Sequence, residues 1–198
     1  MIWLLSITLL LYAILIIALS VGFTKTPYFK YSYTHAKTAF SIVIPFRNEA
    51  NNLPFLLDSI HTLKYPKELV EFIFVDDDSS DNSVAIINNY QLPYSFKLLK
   101  NVRTSGSPKK DAIATAILKT TNNWIITTDA DCVLPKKWLS TLDAFIQEKQ
   151  PKMVVAPVNY NAKNTLLAQF QLLDFMSMQG TTIGGFGIQF PFLCNGAN

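Results

Sequence analysis

The sequence predicts an α/β domain with a largely parallel sheet, preceded by one N-terminal hydrophobic helix. Three observations carry this expectation. From residue 40 onward, short apolar runs alternate with segments of helical period, the order that β-α-β units produce. The runs are rich in Ile, Val and Phe, as strands covered on both faces tend to be. Residues 2–23, IWLLSITLLLYAILIIALSVGF, hold no charged residue over 22 positions, enough to cross the hydrocarbon core of a bilayer as a helix. With 198 residues, 49% hydrophobic and 13% aromatic, the chain can bury a core, and disorder is not the default. A net charge of +3 without any basic stripe argues against a nucleic-acid partner. Cys132 and Cys194 lack paired spacing, which points away from a zinc site or disulfide framework and suits a reducing compartment.

The opening run reads as an uncleaved anchor over residues 1–24. A secretory signal would carry Lys or Arg ahead of a shorter apolar stretch, and no basic residue precedes this one. Lys25, Lys30 and Lys37 follow it with no acid among them, so the positive flank predicts a single span with the rest of the chain on the cytoplasmic side. Residues 25–39 form a basic, aromatic juxtamembrane linker, whose Tyr28, Phe29, Tyr31 and Tyr33 suit a lipid interface or an ordinary connection equally. The lipid bilayer is thus the first expected partner.

The α/β domain occupies residues 40–198. FSIVIPF (40–46) is the first strand. Leu53, Leu56, Leu57, Ile60 and Leu63 recur at helical spacing until KYP stops them. EFIFV (71–75) is the second strand, followed by a short helix from Ser83 to Tyr90 and a strand at FKLLK (96–100). PKKDAIATAILKT (108–120) reads as a helix with Pro108 in its first turn, where proline is tolerated. WIITT (124–128) is a strand, Trp138 to Ile146 a helix, and KMVVAPV (152–158) a further strand. Residues 164–179 are helical by period and unusually apolar, so they should rest on the membrane or on another element.

Two acidic clusters, VDDDSSD and TDADC, fall at the carboxyl ends of expected strands, where open α/β sheets bind ligands. Adjacent carboxylates repel and resist losing water, so they face solvent in a polar turn or share a cation. Hard oxygen ligands suit Mg²⁺ or Mn²⁺, which takes one or two carboxylates together with substrate phosphates. On this reading Asp131 holds the metal, with Asp129 helping or bonding a ribose. Alone, a D-x-D pair is weak evidence, because surface turns produce it often.

The ordered set IPFRNEANNL, VDDDSSDNS, SPKKDAIATAI, TTDADC and FLCNGAN resembles the family 2 glycosyltransferases of the GT-A fold, from about Phe40 to the last residue. The resemblance implies transfer of a sugar, with inversion, from a nucleoside-diphosphate sugar, with uridine as the expected base, to a glycan or lipid-linked acceptor. It places Pro45, Asn48 and Glu49 in the segment that cradles the nucleotide. Asp77 matches the aspartate that bonds uracil, with Asp76 beside it. Lys109 matches a lysine near the diphosphate, although Pro108 stands where the family has glycine. Asp129 and Asp131 match the D-x-D motif and metal site, and Asn195, Gly196 and Asn198 match an acceptor-side segment. The family's general base, an Asp in a later segment, and its Gln-x-x-Arg-Trp motif have no match: after Asp131 the only acids are Asp143, Glu148 and Asp174. The expectation is a donor-binding portion, incomplete at its C-terminus, that alone transfers little or no sugar. Other classes also fit parts of the sequence. TDADCVL resembles the opening of haloacid dehalogenase-type phosphatases, which need a further acidic pair downstream. FIFVDDDSSD resembles the strand end of a receiver-like module, or the chain is a non-catalytic tethered nucleotide binder. Asp78, Ser79, Ser80 and Asp81 fit a turn and helix cap.

Overall fold

A computed structural model describes residues 1–159 and 162–194. The chain divides into two units. Of the described residues, one unit holds Lys30–Val154 and the other joins Met1–Phe29 to residues 155–194. The first unit is a sheet of four parallel strands in the order β3-β2-β1-β4. These are β1 (Phe40–Phe46), β2 (Val70–Asp76), β3 (Ser95–Lys100) and β4 (Trp124–Thr127). Helices α2 (Leu53–His61), α3 (Ser83–Asn89) and α4 (Pro108–Ile117) make the crossovers, and α5 (Trp138–Lys149) follows the last strand.

Strand periodicity decides which face each helix covers. Phe40, Ile42, Ile44 and Phe46 share a face with Phe72 and Phe74, packed with Leu53, Leu56, Leu57 and Ile60 of α2 and with Trp138 and Leu139 of α5. Val43, Ile73 and Val75 point the other way onto Ala112 and Ala116 of α4. Both central strands are therefore covered on two sides, which accounts for their unbroken apolar runs. On the α4 side the charged Glu71 is buried. Glu71 Oε1 accepts hydrogen bonds from Ser41 Oγ (2.6 Å), Thr121 N (2.6 Å) and Thr121 Oγ1 (2.7 Å), and Oε2 from Lys97 Nζ (2.8 Å).

Burial opposes the Glu71 charge, but Lys97 and the surrounding donors outweigh it and hold the carboxyl at about 2. A carboxyl depressed in the folded state stabilises the fold fully above its ordinary value of 4.5, and this contribution is lost as pH falls toward about 2. Thermal melts of the wild type should therefore lose stability across that acid window. Glu71→Gln should remove this part of the slope and lower stability at neutral pH by about 2 kcal/mol, a figure reduced because Lys97 is partly exposed. A wild-type melting temperature flat over the same window would contradict the assignment.

The second unit consists of α1 (Ile2–Lys25) and α6 (Leu166–Gly187) packed together. Among the described residues α1 is the one helix long and apolar enough to cross a membrane, with mean hydropathy 2.7. Two expectations are corrected. Residues 152–158 form no strand: β4 is a four-residue edge strand, the run has no ladder partner among the described residues, and Met153 is exposed. β-Branched residues extend without pairing when no neighbouring edge is offered. The last helix runs to Gly187, eight residues beyond the expected end at Gln179. Gly180, Gly184, Gly185 and Gly187 weaken the local helical signal, and packing against α1 overrides it. Asn195, Gly196 and Asn198 lie outside the described residues.

Candidate functional site

Strand order reverses direction at β1, with β2 on one side and β4 on the other, so the loops leaving these strands open a crevice at their carboxyl ends. A cavity of about 310 Å³ sits there, lined by Pro45, Arg47 and Glu49 after β1, Asp77 after β2, Lys109 at the start of α4, and Asp129 and Asp131 after β4. Sheet connectivity thus brings together six of the sequence-predicted residues: Pro45, Glu49, Asp77, Lys109, Asp129 and Asp131.

Asn48 and Asp76 do not line it. Asn48 adopts a left-handed φ of 56°, which asparagine tolerates better than most residues. Its Oδ1 accepts from Ser80 N (2.8 Å), while its own N–H donates to Ser79 Oγ (3.0 Å). Asp76 Oδ1 accepts from Ser79 N (3.0 Å). Asn48 ties the β1 loop to the β2 loop, and Asp76 closes the turn within the β2 loop. Asp81 does similar work, accepting from Ser83 N (2.9 Å) at the start of α3 and from Ala50 N (3.0 Å).

The cavity's acids are paired unequally. Asp77 is buried; Arg103 Nε reaches its Oδ1 at 2.7 Å and Arg103 Nη2 its Oδ2 at 2.8 Å. Asn101 Nδ2 adds a bond to Oδ1 at 2.6 Å, and Arg47 lies 3.8 Å away. Arg103 foremost, with Asn101 and Arg47 in support, holds the Asp77 carboxyl below its ordinary range against the opposing effect of burial. Lys109 Nζ lies 2.6 Å from Asp129 Oδ1. Asp131 is exposed and makes no ion pair among the described residues; its carboxylate meets the Cys132 thiol at 3.9 Å. Burial pushes that thiol's pKa up, so Cys132 is a packed neighbour without activation.

Sequence reasoning missed Arg103 and Asn101. Their loop is fixed from α4, where the buried Asp111 accepts from Thr104 N (3.1 Å), Ser105 N (2.9 Å) and Thr104 Oγ1 (3.1 Å). The available signal was position: both residues follow the carboxyl end of β3, as Asp77 follows that of β2. The departure at Pro108 is accommodated, because it starts α4 where no N–H is needed and its carbonyl accepts from Asn101 Nδ2 (3.1 Å).

The family model for Glycosyl transferase family 2 matches residues 41–194. The chain belongs to this family. A probable glycosyltransferase, YdaM, of Bacillus subtilis (strain 168) is 28% identical over 73% of this chain and 36% of its own length. The poly(ribitol-phosphate) beta-N-acetylglucosaminyltransferase TarS of Staphylococcus aureus (strain Mu50 / ATCC 700699) is 28% identical over 55% of this chain and 19% of its own length. The crystal structure of S. aureus TarS 1-349 in complex with UDP-GlcNAc superimposes with a TM-score of 0.57 at 25% identity, over 65% of this chain and 37% of that one. A Pyrobaculum calidifontis mannosyltransferase, solved with GDP-Man and Mn²⁺, shares the fold with a TM-score of 0.59 at 21% identity, over 78% of this chain and 47% of that one. The chain therefore spans roughly a third of the B. subtilis relative and a fifth of the S. aureus one.

Family 2 membership gives the parallel sheet its type, GT-A, and sets aside the phosphatase and receiver-like readings. In this family 2 chain the loops that carry both acidic clusters open on one crevice beside Lys109 and two arginines, an arrangement with both signs of charge available to a phosphorylated ligand. Asp143, one of the later acids, is buried away from the crevice. Its Oδ1 accepts from Thr38 N (3.0 Å) and Thr38 Oγ1 (2.6 Å), and Gln147 Nε2 donates to its Oδ2 (2.9 Å).

Proposed function

We propose that this chain is the donor-binding part of an inverting glycosyltransferase that takes a uridine-diphosphate sugar and serves a glycan or lipid-linked acceptor, anchored in the membrane by α1 with the sheet unit on the cytoplasmic side. The observation that carries this reading is the single crevice shared by Asp77, Lys109, Asp129 and Asp131. The relatives' names and the UDP-GlcNAc complex of TarS support it.

In this reading Asp77 accepts the uracil N–H in a charge-assisted bond, presented by Arg103 and Asn101. Two carboxylates after β4 would suit a Mg²⁺ or Mn²⁺, and Asp131, which makes no ion pair among the described residues, would hold it best with Asp129 beside it. A bound cation would supply positive charge against the diphosphate. Lys109 and Asp129 neutralise each other in the free protein. Were Asp129 to hold a cation, the Lys109 ammonium would be free to face the phosphates. Transfer then forms a bond from the acceptor hydroxyl oxygen to the anomeric carbon. The bond to the diphosphate breaks with its electron pair going to the phosphate oxygen, while the acceptor proton passes to a general base. No carboxylate of the described residues is assigned that base.

Calorimetric titration tests the reading. UDP should bind with Mn²⁺ or Mg²⁺ present and lose most of its affinity in EDTA, and GDP should bind more weakly than UDP under the same conditions. Equal affinity with and without a divalent cation would refute the metal-assisted site; equal affinity for GDP would refute uridine as the base.

A further inference from the structure

The loop that carries Arg103 has little apolar anchorage of its own. Residues 102–106 are all exposed, Val102 by 63%, and segments with so few buried contacts open at low cost. Yet Arg103 meets Asp77 with two nitrogens at once, at 2.7 and 2.8 Å. A forked contact of this kind depends on a backbone held in place. Directed bonds to the N–H groups on either side of Arg103 supply the hold. Asn101 N donates to Asp76 O (2.8 Å) and Val102 N to Thr115 Oγ1 (3.2 Å). Thr104 N and Ser105 N both donate to Asp111 Oδ2, at 3.1 and 2.9 Å, and Thr104 Oγ1 donates to Asp111 Oδ1 at 3.1 Å.

Pro108, Asp111 and Thr115 stand at i, i+3 and i+7 of α4 and share one face, and it is this face that grips the loop. Ala112 and Ala116 turn instead to the sheet. Asp111 makes three of the bonds in the grip. It is buried, does not line the crevice, and makes no ion pair among the described residues. Nor does it take over the capping of its own helix, whose N-cap Ser107 makes no side-chain cap bond. Burying a carboxylate is costly unless its oxygens find donors, and the donors here all belong to the two residues that follow Arg103.

We propose that Asp111 is a positioning residue for nucleobase recognition: by holding Thr104 and Ser105 it sets the Arg103 guanidinium on Asp77, and so governs base binding without touching the nucleotide. The proposal rests on the reading in which Asp77 contacts the base. Calorimetric titration of the full chain with UDP and Mn²⁺ tests it through a double-mutant cycle. Asp111→Ala should weaken UDP binding about 10-fold. Added to Arg103→Ala it should cost nothing further, because both changes remove the same contact. Asp111→Ser fills the buried space but is too short to reach both N–H groups, and it enters the same cycle with the same expectation should Asp111→Ala fail to fold. Asp111→Asn should recover most of the affinity, since its oxygen can accept from both N–H groups while its amide donates to Thr104 Oγ1.

The acid limb of UDP binding adds a sign that a merely structural role would not produce. Asp77 is faced by Arg103, Asn101 and Arg47. Removing the Asp111 charge by itself favours ionised Asp77 and moves the limb down or leaves it in place, whereas a displaced Arg103 moves it up. Asp111→Ala and Asp111→Ser should move it up, and Asp111→Asn should not. Wild-type affinity in Asp111→Ala, additive losses in the cycle, an acid limb that does not rise, or Asp111→Asn as weak as Asp111→Ala each overturn the positioning role and leave the base-binding reading standing. Wild-type affinity in Arg103→Ala overturns that reading and the proposal with it.

Discussion

Asp131→Ala should abolish metal-dependent binding of the nucleotide while leaving the fold's stability unchanged. The carboxylate is exposed and makes no ion pair among the described residues, its contact being the Cys132 thiol, so truncation exposes no buried partner and should stay within about 0.5 kcal/mol of wild type in a thermal melt. On the proposed reading its loss removes the least encumbered candidate cation ligand in the crevice. Even outer-sphere partners of metal sites commonly carry 10–100-fold in affinity, so removing a direct ligand should weaken UDP binding in Mn²⁺ by about 100-fold or more. Asp129→Asn should behave differently, because it both removes a ligand and frees Lys109, whose ammonium sits 2.6 Å away. It should therefore show weaker binding in Mn²⁺ but stronger residual binding in EDTA than wild type. Calorimetry of the two variants under both conditions separates these outcomes. Wild-type affinity for Asp131→Ala would remove Asp131 from the cation site.

The contrast between these two aspartates shows what a linear sequence conveys and what it withholds. β1 begins and ends where the apolar run FSIVIPF does, and β2 extends EFIFV by one residue at each end, because a strand buried on two faces leaves an unambiguous apolar record. Placement of both acidic clusters at strand ends followed from that, and with it the shared crevice. Three kinds of information were illegible. KMVVAPV has the composition of a strand, yet strand formation needs a partner edge, which is a property of the sheet and not of the segment. Asn48 and Asp76 carry the residue types of a binding loop, but the Asn48 side chain bonds across to the β2 loop and that of Asp76 closes a turn. Arg103 lies 26 positions from Asp77, and only the pairing of β2 with β3 sets their loops side by side.

That pairing makes Asp77 and Arg103 a unit, and variants of the two should fail together in base recognition. Replacing Asp77 by Asn keeps the side chain's shape and its bond from Asn101, but exchanges a charged acceptor for a neutral one. A hydrogen bond to a charged group is worth about 1.5–3 kcal/mol, so UDP affinity should fall by roughly 10- to 150-fold. Discrimination against GDP should shrink with it if, as proposed, Asp77 contacts the base. Arg103→Ala leaves Asp77 in place without its principal cation. The sign of the pH effect follows from the pairing. Arg103 holds the Asp77 pKa below its ordinary value of 3.8, so in the wild type the carboxylate stays ionised, and base binding persists, as pH falls through 3.8. Without Arg103 the folded pKa moves back up, helped by burial that now goes unopposed, and Asp77 protonates at a higher pH. The acid limb of UDP affinity should therefore shift upward in Arg103→Ala, whereas Asp77→Asn should lack that limb. Matching acid limbs in wild type and Arg103→Ala would show that the guanidinium does not govern the charge on which recognition of the base depends.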